Sequence, residues 1–258
     1  MFATERQDKI LEILSEKGAV SITNLVKVFG VSAETIRRDL LTMEGQGRLS
    51  RVHGGAVAKR NMKPFYDLQE RNKAYSRQKQ DLAKLAAEFV TEGDIIAIDS
   101  GSTAIFFAEA LRIRKIPLTV VTYSLDVFNI LCQQKQISVI LSGGHYMPAE
   151  NSFYGQIALE SLRALHVKKL FLCPSGLSYD EGIWDYQNEL VQIQKQLLSA
   201  ADEVYILADS SKFEKKALLK LADMSTKYRY ITDGDLSEEM RELYLEKGYN
   251  ISIGGSKK

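Results

Sequence analysis

Gly30-Val31-Ser32-Ala33-Glu34-Thr35-Ile36-Arg37-Arg38-Asp39-Leu40 is the stretch on which the reading of this 258-residue chain turns. Ser32 is a helix-capping residue, and Ile36, Leu40 and Met43 follow at helical spacing, so a helix opens there and ends near Gly45 or Gly47. Just upstream, Ser21 caps a shorter helix with Ile22, Leu25, Val26 and Phe29 inward, and Gly30 stops it. Two short helices joined only by Gly30-Val31-Ser32 predict a helix-turn-helix. Before them, Thr4-x-x-Gln7 fits a capping box, and Ile10, Leu11, Ile13 and Leu14 form the apolar stripe of a first helix that Gly18 ends. After them, Arg48-Leu49-Ser50-Arg51-Val52-His53 alternates and Gly54-Gly55 permits a tight turn, which predicts a β-hairpin wing.

The outward residues of the third helix indicate a function. Ser32, Ala33, Glu34, Thr35, Arg37 and Arg38 lie at or near its start, the part of a helix-turn-helix that reaches base edges in the major groove. Arginine can grip guanine with two hydrogen bonds, threonine can meet a thymine methyl or a phosphate, and the helix's first amides attract phosphate. Arg48 and Arg51 on the wing suit the DNA backbone or minor groove, and His53 either meets phosphate or packs in the hairpin. The competing reading of Arg37-Arg38 is a solvated helix face paired with Glu34 or Asp39. Charge distribution favours a polyanion: residues 1–60 carry net +3 and residues 61–258 net −2, within a chain of net charge +1. The stretch 46–60 holds Arg48, Arg51, Lys59 and Arg60 with no acidic residue beside them.

Composition is that of a globular protein, 45% hydrophobic and 26% charged. Cys132 and Cys173 sit in apolar stretches and read as small buried hydrophobes; with three scattered histidines they provide neither a disulfide framework nor a metal cluster. The first residues lack a signal peptide's apolar core and no apolar run approaches the ~18 residues that span a bilayer, so the chain reads as cytoplasmic.

At these residues the sequence resembles the DeoR family of bacterial transcription regulators. The resemblance rests on Glu5-Arg6-Gln7-x-x-Ile10-Leu11, on Gly30-Val31-Ser32-x-Glu34-Thr35-Ile36-Arg37-Arg38-Asp39-Leu40, which looks like the family's recognition-helix signature, and on Arg51-Val52-His53-Gly54-Gly55-Ala56. It continues through Asp99-Ser100-Gly101-Ser102-Thr103, Val121-Thr122-x-Ser124, Gly143-Gly144 and Ala208-Asp209-Ser210-Ser211-Lys212-Phe213. It implies an α/β protein with an N-terminal winged helix-turn-helix and a C-terminal sensor similar in fold to ribose-phosphate isomerases and CoA transferases. It also implies a repressor of a sugar-utilisation operon that leaves DNA on binding a phosphorylated sugar.

The second half can be read from its own residues. The expected division is a DNA-binding domain at 1–57, a polar linker at 58–75 and an effector-sensing domain at 76–258. From residue 76 helices alternate with short β-rich runs: helices near 76–92, 102–112, 124–134, 155–166, 188–201 and 236–246, strands at 94–99, 118–123, 137–141, 169–173, 203–208 and 228–232. Such alternation predicts a parallel sheet flanked by helices, with ligands bound at the strands' carboxyl ends. Asp99, Ser100, Gly101, Ser102 and Thr103 fall there, as a phosphate-cradling turn or a plain N-cap. So do Tyr123 and Ser124, Gly143 and Gly144, Ser175 and Gly176, and Asp209 with Lys212, the last an anion-binding ammonium or a surface lysine. Together they form the expected effector site. The sequence departs from the family pattern at Tyr123, at Gly182-Ile183-Trp184-Asp185 and at Gln192, which leaves the effector's identity open, although Lys195 keeps a basic residue; Trp184 can equally be a packing residue.

The expected partners are double-stranded operator DNA and a phosphorylated sugar, in a homodimer or homotetramer. No cofactor is expected and no catalytic set is visible: there is no nucleophile elbow, Walker loop or Gly-x-Gly-x-x-Gly. The alternatives are an isomerase-like enzyme carrying a helix-turn-helix, and an architectural DNA binder with a degenerate sensor.

Overall fold

The computed structural model describes residues 3–17, 19–45, 48–52, 54–57 and 68–255. The chain divides into two compact units, Met1–Phe65 and Tyr66–Lys258. His53, Gly18, Gly47 and residues 58–67 of the expected linker lie outside the described residues.

The first unit runs α1 (Ala3–Lys17), β1 (Ala19–Ser21), α2 (Ile22–Phe29), α3 (Ala33–Gly45), β2 (Ser50–Val52) and β3 (Gly55–Val57). Ile10, Leu14, Leu25, Ile36, Leu40, Met43 and Leu49 close one small core. The turn between α2 and α3 depends on Gly30, whose φ of 64° is left-handed and whose N–H reaches the Val26 carbonyl at 2.9 Å. Ser21 caps α2 by accepting from the Asn24 N–H at 3.2 Å, and Ser32 caps α3 from the Thr35 N–H at 3.2 Å. The wing is present as β2 and β3, but β1 joins it in an antiparallel sheet of order β1-β3-β2. Three residues, Ala19-Val20-Ser21, are too few to display alternation, which is why the third strand was not foreseen.

The capping box at Thr4 is corrected. Helix α1 begins at Ala3, so Thr4 lies inside it, and the Gln7 amide donates to Asp39 Oδ1 at 3.3 Å instead of reaching back. Arg6 Nε donates to the other oxygen of Asp39 at 2.6 Å, and all three side chains are buried. This charged bond ties α1 to α3 and turns Asp39 inward, away from Arg37.

The second unit contains α4 (Leu68–Lys73), α5 (Ser76–Glu88), β4 (Ile95–Ile98), α6 (Ser102–Arg114), β5 (Leu118–Thr122), α7 (Leu125–Leu131), β6 (Ile137–Leu141), β7 (His145–Met147), β8 (Ser152–Tyr154), α8 (Gln156–Arg163) and β9 (Val167–Leu172). It continues with β10 (Gly176–Ser178), β11 (Gly182–Asp185), α9 (Asn188–Ser199), β12 (Ala201–Leu207), β13 (Leu219–Ala222), β14 (Arg229–Asp233), α10 (Glu238–Glu246) and β15 (Asn250–Gly254). Seven strands form a parallel sheet of order β15-β14-β12-β9-β4-β5-β6. Both faces are covered, which explains the continuous apolar runs of its strands. Ile96 and Ile98 pack with Leu82, Phe107 and Val127 on one face, while Ala97 packs with Ala158, Ile193 and Leu197 on the other.

Every strand and helix expected after residue 76 is present, most with shifted ends and β6 at 137–141 as expected. The sequence reading missed the β7–β8 hairpin, the small antiparallel sheet β10-β11-β13 and the seventh strand β15, all of five residues or fewer. Part of the stretch read as linker, 68–73, is the helix α4, whose only buried residue is Leu68. Cys132 is corrected too: it is the C-cap just past the end of α7 and is exposed, while the preceding Leu131 takes the buried position. Among the described residues no helix is long and apolar enough to cross a membrane.

Candidate functional site

Helix α3 shows two opposed faces. Ile36, Asp39, Leu40 and Met43 are buried, which leaves Glu34, Arg37, Arg38, Leu41 and Thr42 exposed on the other side. Arg37 Nη1 lies 3.3 Å from Glu34 Oε2, an exposed pair that is easily exchanged for another anion. Arg38 makes no ion pair among the described residues. At the helix start, Ser32 is exposed, Ala33 and Thr35 are half-buried, and the Ser32 and Thr35 hydroxyls lie 2.9 Å apart. The wing arginines have acidic neighbours in space that they lack in sequence, a correction to the unpaired basic stretch. Arg48 Nη2 meets Asp8 at 2.7 Å, and the Arg51 main-chain N–H donates to Glu44 at 2.8 Å while its guanidinium stands 4.0 Å from the same carboxylate.

In the second unit β4 lies between β9 and β5, so the strand order reverses there. A parallel sheet opens a crevice at such a point, beyond the carboxyl ends of its strands. Asp99 occupies it, fully buried. Its carboxylate accepts from the main-chain N–H of Ser100 at 2.9 Å and of Cys173 at 2.8 Å, from the Tyr123 hydroxyl, and from the Gln194 amide at 3.1 Å. Ser100 Oγ donates to Tyr123 Oη at 3.1 Å. The same Gln194 amide donates to Asp185 at 2.8 Å, and Asp185 also accepts from the Ser175 hydroxyl at 2.8 Å. Burial raises the Asp99 carboxyl from 3.8 to about 6 despite these donors, and the charge of Asp185 adds to the rise. Burial and the Asp99 carboxylate push the Tyr123 hydroxyl well above its ordinary value, so it stays a donor.

A cationic side faces this acidic floor. Arg71, from α4, places Nη2 at 2.6 Å from each oxygen of the buried Glu150. Its Nη1 lies 3.5 Å from where a side chain on Gly101 would begin, so the guanidinium rests beside the amino end of α6. That end carries Ser102 and Thr103, both buried. Lys79 is buried as well; its ammonium donates to the Arg71 carbonyl at 2.7 Å and to the Ala74 carbonyl. Burial lowers it from 10.5 to about 8, the carboxylate of Asp209 opposes that fall, and Lys212 and Arg71 add to it. Asp209 caps the turn Ser210–Lys212, accepting from the Ser211 N–H at 3.1 Å. Lys212 also acts on the Cys173 thiol, pulling down a value that burial pushes up. Arg71, Asp209 and Lys212 are thus each within electrostatic reach of Lys79.

The remaining expected residues stand as follows. Ser124 is buried and caps α7 by accepting from the Val127 N–H at 3.3 Å. A side chain on Gly144 would meet the Tyr154 carbonyl at 2.6 Å, and one on Gly176 the Lys215 carbonyl at 2.3 Å, so close packing demands glycine at both. Gly143, with φ of 65°, has open space where its side chain would be. Gln192 is exposed on α9, while its neighbour Gln194 is the one that clamps the two carboxylates. Reading the sequence missed Arg71, Lys79, Glu150 and Gln194. No local signal marks them: two lie in or beside an apparent linker, and the partners of Glu150 and Gln194 are distant in sequence.

A winged helix-turn-helix joined in one chain to a doubly wound sheet with a charged crevice defines a two-part DNA-binding regulator. Residues 6–61 match the DeoR-like helix-turn-helix domain and residues 75–234 the DeoR C-terminal sensor domain. The chain belongs to the DeoR family of transcription regulators. It is 32% identical to an L-fucose operon activator of Haemophilus influenzae, over 94% of this chain and 96% of that protein. It is 34% identical to the lactose phosphotransferase system repressor of Streptococcus mutans, over 93% and 95%. A ribose 5-phosphate isomerase A from Neisseria gonorrhoeae aligns over 52% of each chain with 21% identity and a TM-score of 0.40, a likeness that carries no function.

Proposed function

We propose that this protein regulates a sugar-utilisation operon as a repressor, binding operator DNA through α3 and the wing and releasing it when a phosphorylated sugar enters the crevice between β4 and β9. The observation that carries the reading is the pairing of cations with a helix amino end: Arg71 beside Gly101 at the start of α6, with Lys79 and Lys212 in reach. Fixed positive charge at helix amides suits a phosphate, and Asp209, Ser100, Ser102, Thr103 and Ser175 suit sugar hydroxyls. Asp99 and Tyr123 hold the floor rigid, with Ser124, Gly143, Gly144 and Gly176 shaping the loops around it. Four donors on Asp99 hold its carboxyl group in one place, which suits a floor that positions a bound ligand.

On the DNA side, Ser32, Ala33, Glu34, Thr35, Arg37 and Arg38 meet the major groove, and Arg48, Arg51 and His53 meet the backbone. A homodimer or homotetramer presents two such helices about 34 Å apart, and phosphate contacts make affinity fall with salt. The domains are 1–57 and 76–258, and the segment 58–75 is the joint. Its end, α4, packs within the second unit and carries Arg71, so an anion that engages Arg71 acts on the residues that lead into the joint. The protein works with its operator in the cytoplasm. The test is a thermal-shift panel of sugar phosphates on the full chain, followed by a gel shift with the hit. A stabilising sugar phosphate that weakens DNA binding is expected. Turnover of that compound, or stabilisation without any effect on DNA binding, overturns the reading.

A further inference from the structure

Leu41 is 56% exposed and sits on α3, the helix whose other outward residues are charged or polar. At 100° per residue, Glu34, Arg37, Arg38 and Leu41 fall within an arc of about 100°, and Leu41 lies near its middle. Ile36, Asp39, Leu40 and Met43 occupy the opposite side, in the core. Among the described residues Leu41 has no place in the unit's core. Isolated exposed leucines are common, but this one stands between the arginines of a DNA-binding helix, one turn beyond Arg37. The hydroxyl that follows it is committed to the helix's own backbone: Thr42 Oγ1 donates to the Arg38 carbonyl at 3.0 Å.

We propose that Leu41 is a specificity-determining residue that covers the C5 methyl of a thymine in the operator's major groove. This rests on the reading of α3 as the groove-binding helix and deepens it. Thymine is the only base that shows an apolar group in that groove, so an apolar side chain there distinguishes thymine from cytosine, which lacks the methyl. Arg37 and Arg38 supply the polyanion attraction that carries the leucine to the bases. Guanidinium groups hold the helix against DNA, and Leu41 selects the base pair beneath it.

The experiment uses the full chain. Wild-type protein first enriches its preferred duplex from a random library. Each thymine of that duplex is then replaced singly by deoxyuridine, which removes only the methyl group. One position per half-site is expected at which the replacement weakens wild-type binding about fourfold, the worth of one buried methyl-sized group. Leu41→Ala is expected to bind the thymine duplex about as weakly and to be indifferent to the replacement at that position. Val28→Ala, which trims an equally exposed apolar residue on α2, is expected to keep the wild-type sensitivity. Equal methyl sensitivity in Leu41→Ala and wild type, or a changed oligomeric state with unchanged DNA preference, overturns the inference alone. Failure of the wild type to enrich any duplex overturns the reading of α3 itself, and the inference with it.

Discussion

The two units use charge in opposite ways. On α3 the side chains read as functional stand in water: Arg37 and Glu34 pair at 3.3 Å with 55% and 77% of their side chains exposed. In the crevice of the second unit, Asp99, Asp185, Glu150, Asp209 and Lys79 are all buried. A rigid polyanion can be met only on a surface, where weak exposed pairs cost little to exchange. A small phosphorylated ligand is instead held where water is excluded, and there each charge must be balanced in advance. The first unit also buries one pair, Arg6 with Asp39, and that pair is structural. Burial thus separates charges that hold or shape the fold from the exposed charges proposed to dock on DNA.

The comparison breaks most visibly at Asp39. Asp39→Ala leaves the Arg6 guanidinium buried and unpaired, and is expected to cost about 3–5 kcal/mol, enough to unfold the first unit. Denaturant unfolding should show that unit's transition lost, while replacing both partners by apolar residues should restore most of it. The exposed pair behaves differently. Arg37→Ala or Arg38→Ala is expected to weaken operator binding by about 1–3 kcal/mol in a gel-shift titration and to change unfolding by less than about 1 kcal/mol. A large stability loss in either would mean that these arginines belong to the fold.

In the crevice, Lys212→Ala is expected to leave DNA affinity unchanged and to raise the effector concentration needed for release by about tenfold or more, a charged hydrogen bond being worth that much. Release at the wild-type concentration would remove Lys212 from the site. The smallest effect is a pH dependence. Because the folded Asp99 carboxyl titrates near 6 and the ordinary value is 3.8, the folded unit holds that proton more tightly than the unfolded chain. Its contribution to stability is full below about pH 4 and is lost as pH rises to about 6. Thermal unfolding compared with Asp99→Asn should show wild type losing ground through that window and no further change above it. A flat difference would mean that the donors around Asp99 outweigh its burial.

How legible these regions were differs for the same reason. The turn Gly30-Val31-Ser32, the caps at Ser21 and Ser32 and the outward arginines all lie within twenty residues, and local rules read them. Asp99, Tyr123 and Lys212 were legible as loop residues after strands. Their partners were not: Gln194 meets Asp99 across 95 positions, Arg71 meets Glu150 across 79, and Arg71 stands on a helix that polar composition disguised as linker. The capping box failed for a related reason, since Gln7 found a partner 32 residues away.

The amino-acid order by itself determined the helix-turn-helix, its wing and the parallel alternating architecture, because apolar periodicity, caps and turns act over a few neighbouring residues. Tertiary structure alone decided which charges are buried, which carboxylate each amide serves and what stands beside the amino end of α6. Those depend on desolvation and on contacts between residues far apart in the chain, and no local pattern encodes either.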